Sequence, residues 1–363
     1  MISKIANSLN WLPFYFKRVM DRKLSGELAN PVHVYFCICD HFEPYWNHAD
    51  SKTAKKRIQR WIAEYPRISE KYLDSDGRSL KYSFFYPQEE YREDDLTEIS
   101  KLCHSGFGEV EIHLHHDNDT SENLRRTLLD YKGRLYEKHG LLSKNKYTGE
   151  ISYGFIHGNW ALDNSRPDGR WCGVNDEISI LQATGCYADL TMPSAPNDTQ
   201  TRKVNSIYYA VDDPGKPKSH DWGLDAKVGE SREGLLMIQG PLCLNWSSRK
   251  FGILPRIENS GLYGSNPPSK ERVSSWLRAG VSVSGAPEHV FVKIYTHGTQ
   301  EEVMKMLFNK NGFDVLFESF QRLSHENNFS LHYVSAREMT NTIVALEAAE
   351  KCDFKSMYDY KYI

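Results

Sequence analysis

The sequence predicts an α/β fold whose parallel strands curl into a barrel with a polar interior, and three observations carry that expectation. Strand-like and helix-like stretches alternate along most of the 363 residues. In "EVEIHLHHDND" (109–119), Val110, Ile112 and Leu114 fall on one face and Glu109, Glu111, His113 and His115 on the other, because strand side chains alternate. "ISYGFIHGNW" (151–160) and "HVFVKIYTHG" (289–298) also run into histidine, at His157 and His297. An open sheet covered by helices on both faces would bury such polar alternation at a cost, whereas a barrel offers its interior and C-terminal rim.

The elements follow in order. Residues 1–30 read as an amphipathic helix with Lys17, Arg18, Arg22 and Lys23 on its polar side. It suits packing across one end of the domain, or peripheral contact with a membrane surface. "PVHVYFCIC" (31–39) is the first strand, with Cys37 and Cys39 as buried fillers of one face. A helix over 51–72, the strand "LKYSFFYP" (80–87) and a helix near 94–103 lead to the strand at 109. Thr120 or Ser121 can cap a helix to about His139, with Glu122 well placed in its first turn. The strand at 151 precedes a short helix over 175–184 ending at Gly185, then the strand "YADLTMP". Residues 197–287, rich in Pro, Gly, Ser and Asn, break the rhythm and read as an insertion packed on the barrel. The alternation resumes with the strand at 289, helices over 300–309 and 313–325, "LHYVSA" (331–336) and a last helix from Arg337. The barrel therefore comprises 31–196 and 288–350.

Composition narrows the function. A formal charge of −3 with scattered basic residues gives no case for nucleic acid. Seven cysteines without regular spacing argue against a disulfide framework and for a reducing compartment. No apolar stretch is long enough to cross a bilayer, and the N-terminus does not read as a signal peptide, so a cytoplasmic location is expected. No G-x-S-x-G, Walker or G-x-G-x-x-G motif anchors a serine-hydrolase, nucleotide or Rossmann reading.

What remains is chemistry at strand ends. "CDHFEPYW" places Asp40, His41, Glu43 and Trp46 after the first strand, and His113, His115, Asp119, His157 and His297 end three others. Imidazoles and carboxylates with an open position describe a hydrolytic divalent-metal site, with zinc the expected ion. His116 points away from His113 and His115 by strand parity. Glu109 is expected to form a structural ion pair with Lys293, and Glu111 to orient a ligand imidazole.

With these residues assembled, the chain resembles the polysaccharide deacetylases of carbohydrate esterase family 4. Their second strand, helix and Gly-x-Glu-Ile-Gly-x-His strand are similar in order to "YSFFYPQEEYREDDLTEISKLCHSGFGEVEIHLHHDND". Glu111 and His115 match the family's Glu and first metal-binding His. Asp119 occupies the place of the second His, and His113 stands where the family has Gly. The resemblance implies Asp40 as base and His41 or Glu43 as metal ligand, or the reverse. It implies His297, in "KIYTHG", as general acid. The family's third motif is replaced by "HGNWALDNSRPDGRW", in which His157, Asn159 and Trp160 occupy the turn. Arg166 would supply a clamp, and Trp46, Trp160 and Trp171 would bracket sugar rings. The implied fold is a distorted (β/α)7-type barrel, and the implied reaction is hydrolysis of an acetyl group from a sugar or polysaccharide.

Two rival readings accompany this one. A glycoside hydrolase resembling families 57 and 38 would use Glu43 with Asp119 or Asp163. A sugar-binding protein of glycan biosynthesis would retain the cleft without turnover. A glycan-modifying enzyme of this kind would work on a carbohydrate precursor at the inner membrane surface.

Overall fold

The computed structural model describes residues 2–24, 32–350 and 353–363. Residues 25–30 of the N-terminal segment and Cys352 lie outside them. The chain builds a mixed α/β structure around one large, mostly parallel sheet flanked by helices.

The strands that matter here are β1 (His33–His41), β2 (Tyr82–Pro87), β3 (Gly108–Leu114), β4 (Ile151–His157), β5 (Cys186–Asp189), β6 (Ile207–Ala210), β7 (Leu235–Ile238), β8 (Gly261–Leu262), β9 (His289–Thr296) and β10 (Ser330–Tyr333). Their lateral order is β8-β9-β1-β2-β3-β4-β5-β7-β6. β10 and β2 share one edge of β1. β10 pairs with His33–Phe36, and β2 with Cys39–His41.

Alternation sorts the strand side chains into two cores. Val34, Phe36 and Ile38 of β1, Val110, Ile112 and Leu114 of β3, and Val290, Val292 and Ile294 of β9 meet the same helix layer. That layer includes Ser51–Lys71, whose Ile58, Trp61 and Tyr65 recur at helical spacing and are buried. Each such side chain contributes about 1.5–3 kcal/mol by burial. Asp50 starts this helix by accepting the Thr53 N–H, and Thr120 caps Ser121–His139 by accepting from Asn123. Tyr35, Cys37 and Cys39 face the other core, with Phe85, Ile156 and Phe291.

The sheet is open, not the expected closed barrel. The segment 197–287 supplies the reason: it adds strands to the sheet itself. β7 continues from β5 through the single register pair Asp189↔Met237, and β6 then pairs antiparallel with β7. The edge beyond β5 is thereby extended by the insertion and does not meet β8. The sheet is nonetheless strongly curled. The Lys293 ammonium on β9 crosses to the Leu190 and Met192 carbonyls after β5, at 2.5 and 2.7 Å.

The N-terminal helix, Ile2–Leu24, packs on this body: Trp11 is buried among Ala195, Val204 and Leu242, and Phe14 meets Trp222 edge to face. Nearby in sequence to these contacts, a hairpin (Cys243–Lys250 with Leu254–Glu258) exposes Trp246, Phe251, Ile253 and Leu254. Among the described residues no helix is long and apolar enough to cross a membrane.

Candidate metal centre

Strand register brings the imidazoles together. β1 and β9 pair Cys39 with Tyr295 and Asp40 with Thr296, which sets His41 beside His297. β2 and β3 pair Pro87 with His113, so the turn after β2 lies against the end of β3. His41, Glu43, His113, His115 and His297 converge as two overlapping groups that could hold a metal ion, His41–Glu43–His297 and Glu43–His113–His115. Glu43 is common to both.

The tautomers in the second group follow from their neighbours. His113 Nδ1 lies 2.7 Å from the Ile156 carbonyl, which can only accept, so Nδ1 carries the hydrogen. His115 Nδ1 is held in the same way by the Glu89 carboxylate at 2.5 Å. Both imidazoles turn Nε2 to the Glu43 carboxylate, at 3.2 and 3.6 Å. A lone pair facing a carboxylate calls for a cation between them, a proton or a metal. A carboxylate or carbonyl behind each imidazole is also how proteins orient histidine on metals. In the first group, His41 and His297 stack at 4.6 Å, and the buried His41 Nε2 and His297 Nδ1 have no hydrogen-bond partner.

The electrostatics agree. Burial opposes the Glu43 anion, but its hydrogen bond with His113 and the nearby His297, His113 and His115 prevail and hold its pKa at about 2. Burial, reinforced by His297, His113 and His115, pushes His41 well below the ordinary imidazole range. Burial also lowers His297, with Glu43 opposing. His115 goes the other way: burial is outweighed by the Glu89 hydrogen bond and charge.

Several sequence-based placements are corrected. Asp40 shares the Ile38 face of β1, away from His41, because neighbouring strand residues cannot face the same side. Its oxygens accept the Gly298 N–H at 2.6 Å and the Tyr82 O–H at 3.1 Å. It belongs to neither group and accepts instead from the turn that follows His297. Asp119 is also elsewhere. It lies beyond the end of β3, 3.0 Å from His116 Nδ1. Glu109 pairs with Arg337 at 2.8 Å, not with Lys293, whose ammonium is occupied by carbonyls. Glu111 accepts from Tyr187 O–H and Gly154 N–H and touches no imidazole. Burial raises its pKa to about 8. The polar face of β3 is thus divided: one ion pair, one buried carboxyl and two site imidazoles.

His157 and His116 meet each other in a separate cluster with Cys172 and Glu177, so His157 is not part of the Glu43 centre, and the His116 side chain, which parity turns away from that centre, is buried here. Trp160 does line the centre. Its ring lies 5.9 Å from His41 and 6.1 Å from His297, and its buried indole N–H has no partner. Asn159 precedes it in a turn with φ +55°. Trp46 is 38 % exposed in the turn after Glu43. Arg166 is already neutralised by Asp168 and Asp198 and stacks on Trp171.

Sequence reading missed Glu89, which holds His115. The signal was there: "PQEE" ends β2 directly beside β3. It also missed Cys172 and Glu177, which stand far from any strand end in sequence. No family model matches the chain, and no curated protein matches it either.

Proposed function

We propose that this chain is a metal-dependent hydrolase that removes acetyl groups from a sugar or polysaccharide. The observation that carries the reading is the Glu43 carboxylate faced by the Nε2 atoms of His113 and His115, each imidazole fixed from behind. Three protein ligands of this type leave a position open, as catalytic zinc sites do, and zinc is the ion proposed. When bound there, the ion would polarise the acetyl carbonyl and acidify a water molecule.

The protein's own groups do the rest. Glu89 and the Ile156 carbonyl keep both ligand imidazoles in the metal-binding tautomer. His41 and His297, stacked beside Glu43 with unpartnered nitrogens, take up the proton released by the attacking water and return one to the departing nitrogen or oxygen. Hydrolysis then leaves acetate and the deacetylated sugar. Trp160 offers a ring face and a free N–H at the same place, a combination suited to a sugar ring bearing an acetamido group. Zinc content and acetate release from N-acetylated oligosaccharides test the reading. Glu43→Gln and His115→Ala should lose the ion held at Glu43 and the activity, with the fold retained by circular dichroism. Ion-free wild-type protein that still releases acetate would sink it.

The same reading places the protein at a membrane surface. The hairpin tip exposes Trp246, Phe251, Ile253 and Leu254 beside Arg249 and Lys250, apolar and basic together, as an anionic bilayer surface requires.

A further inference from the structure

His116, His157, Cys172 and Glu177 are all buried or nearly so and present a nitrogen, a nitrogen, a sulfur and an oxygen within 4.8 Å of one another. We propose that they form a second divalent-metal site, structural in role and suited to zinc, which ties the loop 158–176 to the ends of β3 and β4. Its residues are separate from the Glu43 centre, and the proposal stands whether or not that centre is catalytic.

The hydrogen-bond geometry requires a cation here. His157 Nδ1 lies 2.6 Å from the Gly158 carbonyl, so its hydrogen is on Nδ1. His116 Nδ1 lies 3.0 Å from the Asp119 carboxylate, with the same consequence. If both rings are neutral the two Nε2 atoms are bare, yet they stand 2.8 Å apart, so either a proton on one of them or a metal ion lies between. Between neutral rings that contact sets one lone pair against another. Glu177 adds two more acceptors, Oε1 at 3.2 Å from His116 Nε2 and Oε2 at 3.6 Å from His157 Nε2. Cys172 Sγ lies 3.4 Å from Glu177 Oε2. As a thiol, Cys172 would donate to Glu177 Oε2, but no backbone or side-chain N–H of another described residue reaches the two Nε2 atoms.

The surroundings are those of a metal shell. Asp119 behind His116 and the Gly158 carbonyl behind His157 fix both rings. Burial and Glu177 push the Cys172 thiol up, so a thiolate here needs a cation beside it; the Asn164 N–H, 3.2 Å from Sγ, would support that thiolate, and the Asp163 N–H binds Glu177 Oε2 at 2.6 Å. Four protein ligands from nitrogen, sulfur and oxygen close the coordination of zinc and mark a structural site. The loop also needs such an anchor. Asn159, Trp160, Asp163, Asn164 and Trp171 all hold φ between +51° and +69°, a region that side chains other than glycine enter at a cost. This is the loop that carries Trp160 to the Glu43 centre.

Cobalt(II) reads the second site alone, because it contains a thiolate and the Glu43 centre does not. Full-length protein is stripped with a chelator and reloaded with zinc or cobalt(II). Glu43→Gln protein should keep a tightly held ion and, as the cobalt form, show a near-ultraviolet thiolate-to-cobalt charge-transfer band. Cys172→Ser should abolish the band and weaken zinc binding at least about tenfold. Chelation should open the loop to trypsin at Arg166 and Arg170. If Cys172→Ser fails to fold, His116→Gln, which keeps the thiol, should bind zinc at least about tenfold more weakly. A wild-type protein that shows no thiolate band would overturn the proposal and leave a shared proton between the imidazoles. A band that survives Cys172→Ser would overturn it too. Loss of acetate release or of the ion at Glu43 leaves all these readings unchanged.

Discussion

Truncating Asp40 to alanine strands two buried donors, the Gly298 N–H and the Tyr82 O–H, which now end on its carboxylate at 2.6 and 3.1 Å. Each orphaned donor costs about 1–3 kcal/mol. The space left by the carboxyl adds about 1 kcal/mol. A loss of about 3–7 kcal/mol is therefore expected, a large share of the ~5–15 kcal/mol that holds a typical protein folded. Asparagine keeps an oxygen for Gly298 but none that is both free and acceptor for Tyr82, so Asp40→Asn should cost only about 1–2 kcal/mol. Guanidinium denaturation followed by tryptophan fluorescence measures both, with metal content and acetate release taken on the same preparations. A positioning residue predicts that Asp40→Asn keeps its ion and keeps acetate release within about tenfold of wild type. A general base predicts a fall of ~100–10,000-fold. Asp40→Asn protein of undiminished stability and thousandfold slower turnover would return Asp40 to the catalytic machinery.

Glu109→Gln leaves the Arg337 guanidinium short of its main anion, and a loss of about 3–5 kcal/mol in chemical denaturation is expected; Lys293→Met should show no coupling to it in a double-mutant cycle. Glu347, buried against Tyr209, has its pKa raised by burial from 4.5 to about 7, with the Tyr209 O–H opposing. The folded state then holds the proton more tightly than the unfolded chain, so stability falls as pH rises from about 4.5 to 7, by up to about 3 kcal/mol. Glu347→Gln should flatten that slope in melts recorded across the window. Trp160→Ala should weaken binding of an N-acetylated oligosaccharide by up to about tenfold in equilibrium dialysis while leaving zinc content unchanged. Sedimentation with vesicles of anionic lipid should pull down the wild-type chain, and Trp246→Ser with Phe251→Ser should release it; equal sedimentation of both proteins would remove the hairpin from the membrane reading.

Much of the candidate centre was legible because strand parity is a strong constraint. His113 and His115 share a face by being two apart, and His41 and His297 share one because β1 and β9 pair in register. The same rule, applied strictly, excludes Asp40, which cannot face the site if its neighbour His41 does. Its place at the end of the first strand, in "CDHFEPYW", brought it into the site against parity, and the resemblance added only the role of base. The helices were readable from spacing and caps, as at Thr120. The open sheet was not, since the strands of 197–287 are short and join through a single register pair that leaves no periodic trace. Nor was the partner of Glu109: Arg337 stands 228 residues away and announces itself only in three dimensions. Cys172 and Glu177 were invisible for a related reason. They reach the His116–His157 pair through a loop whose course depends on left-handed residues that no hydrophobic pattern encodes.

Gly158 follows His157 directly, and a methyl group there would lie 2.2 Å from the ring of His115. The two clusters are consequently separated by a partition one backbone thick. A single substitution at that position would dislodge an imidazole on one side while shifting the carbonyl that steadies an imidazole on the other.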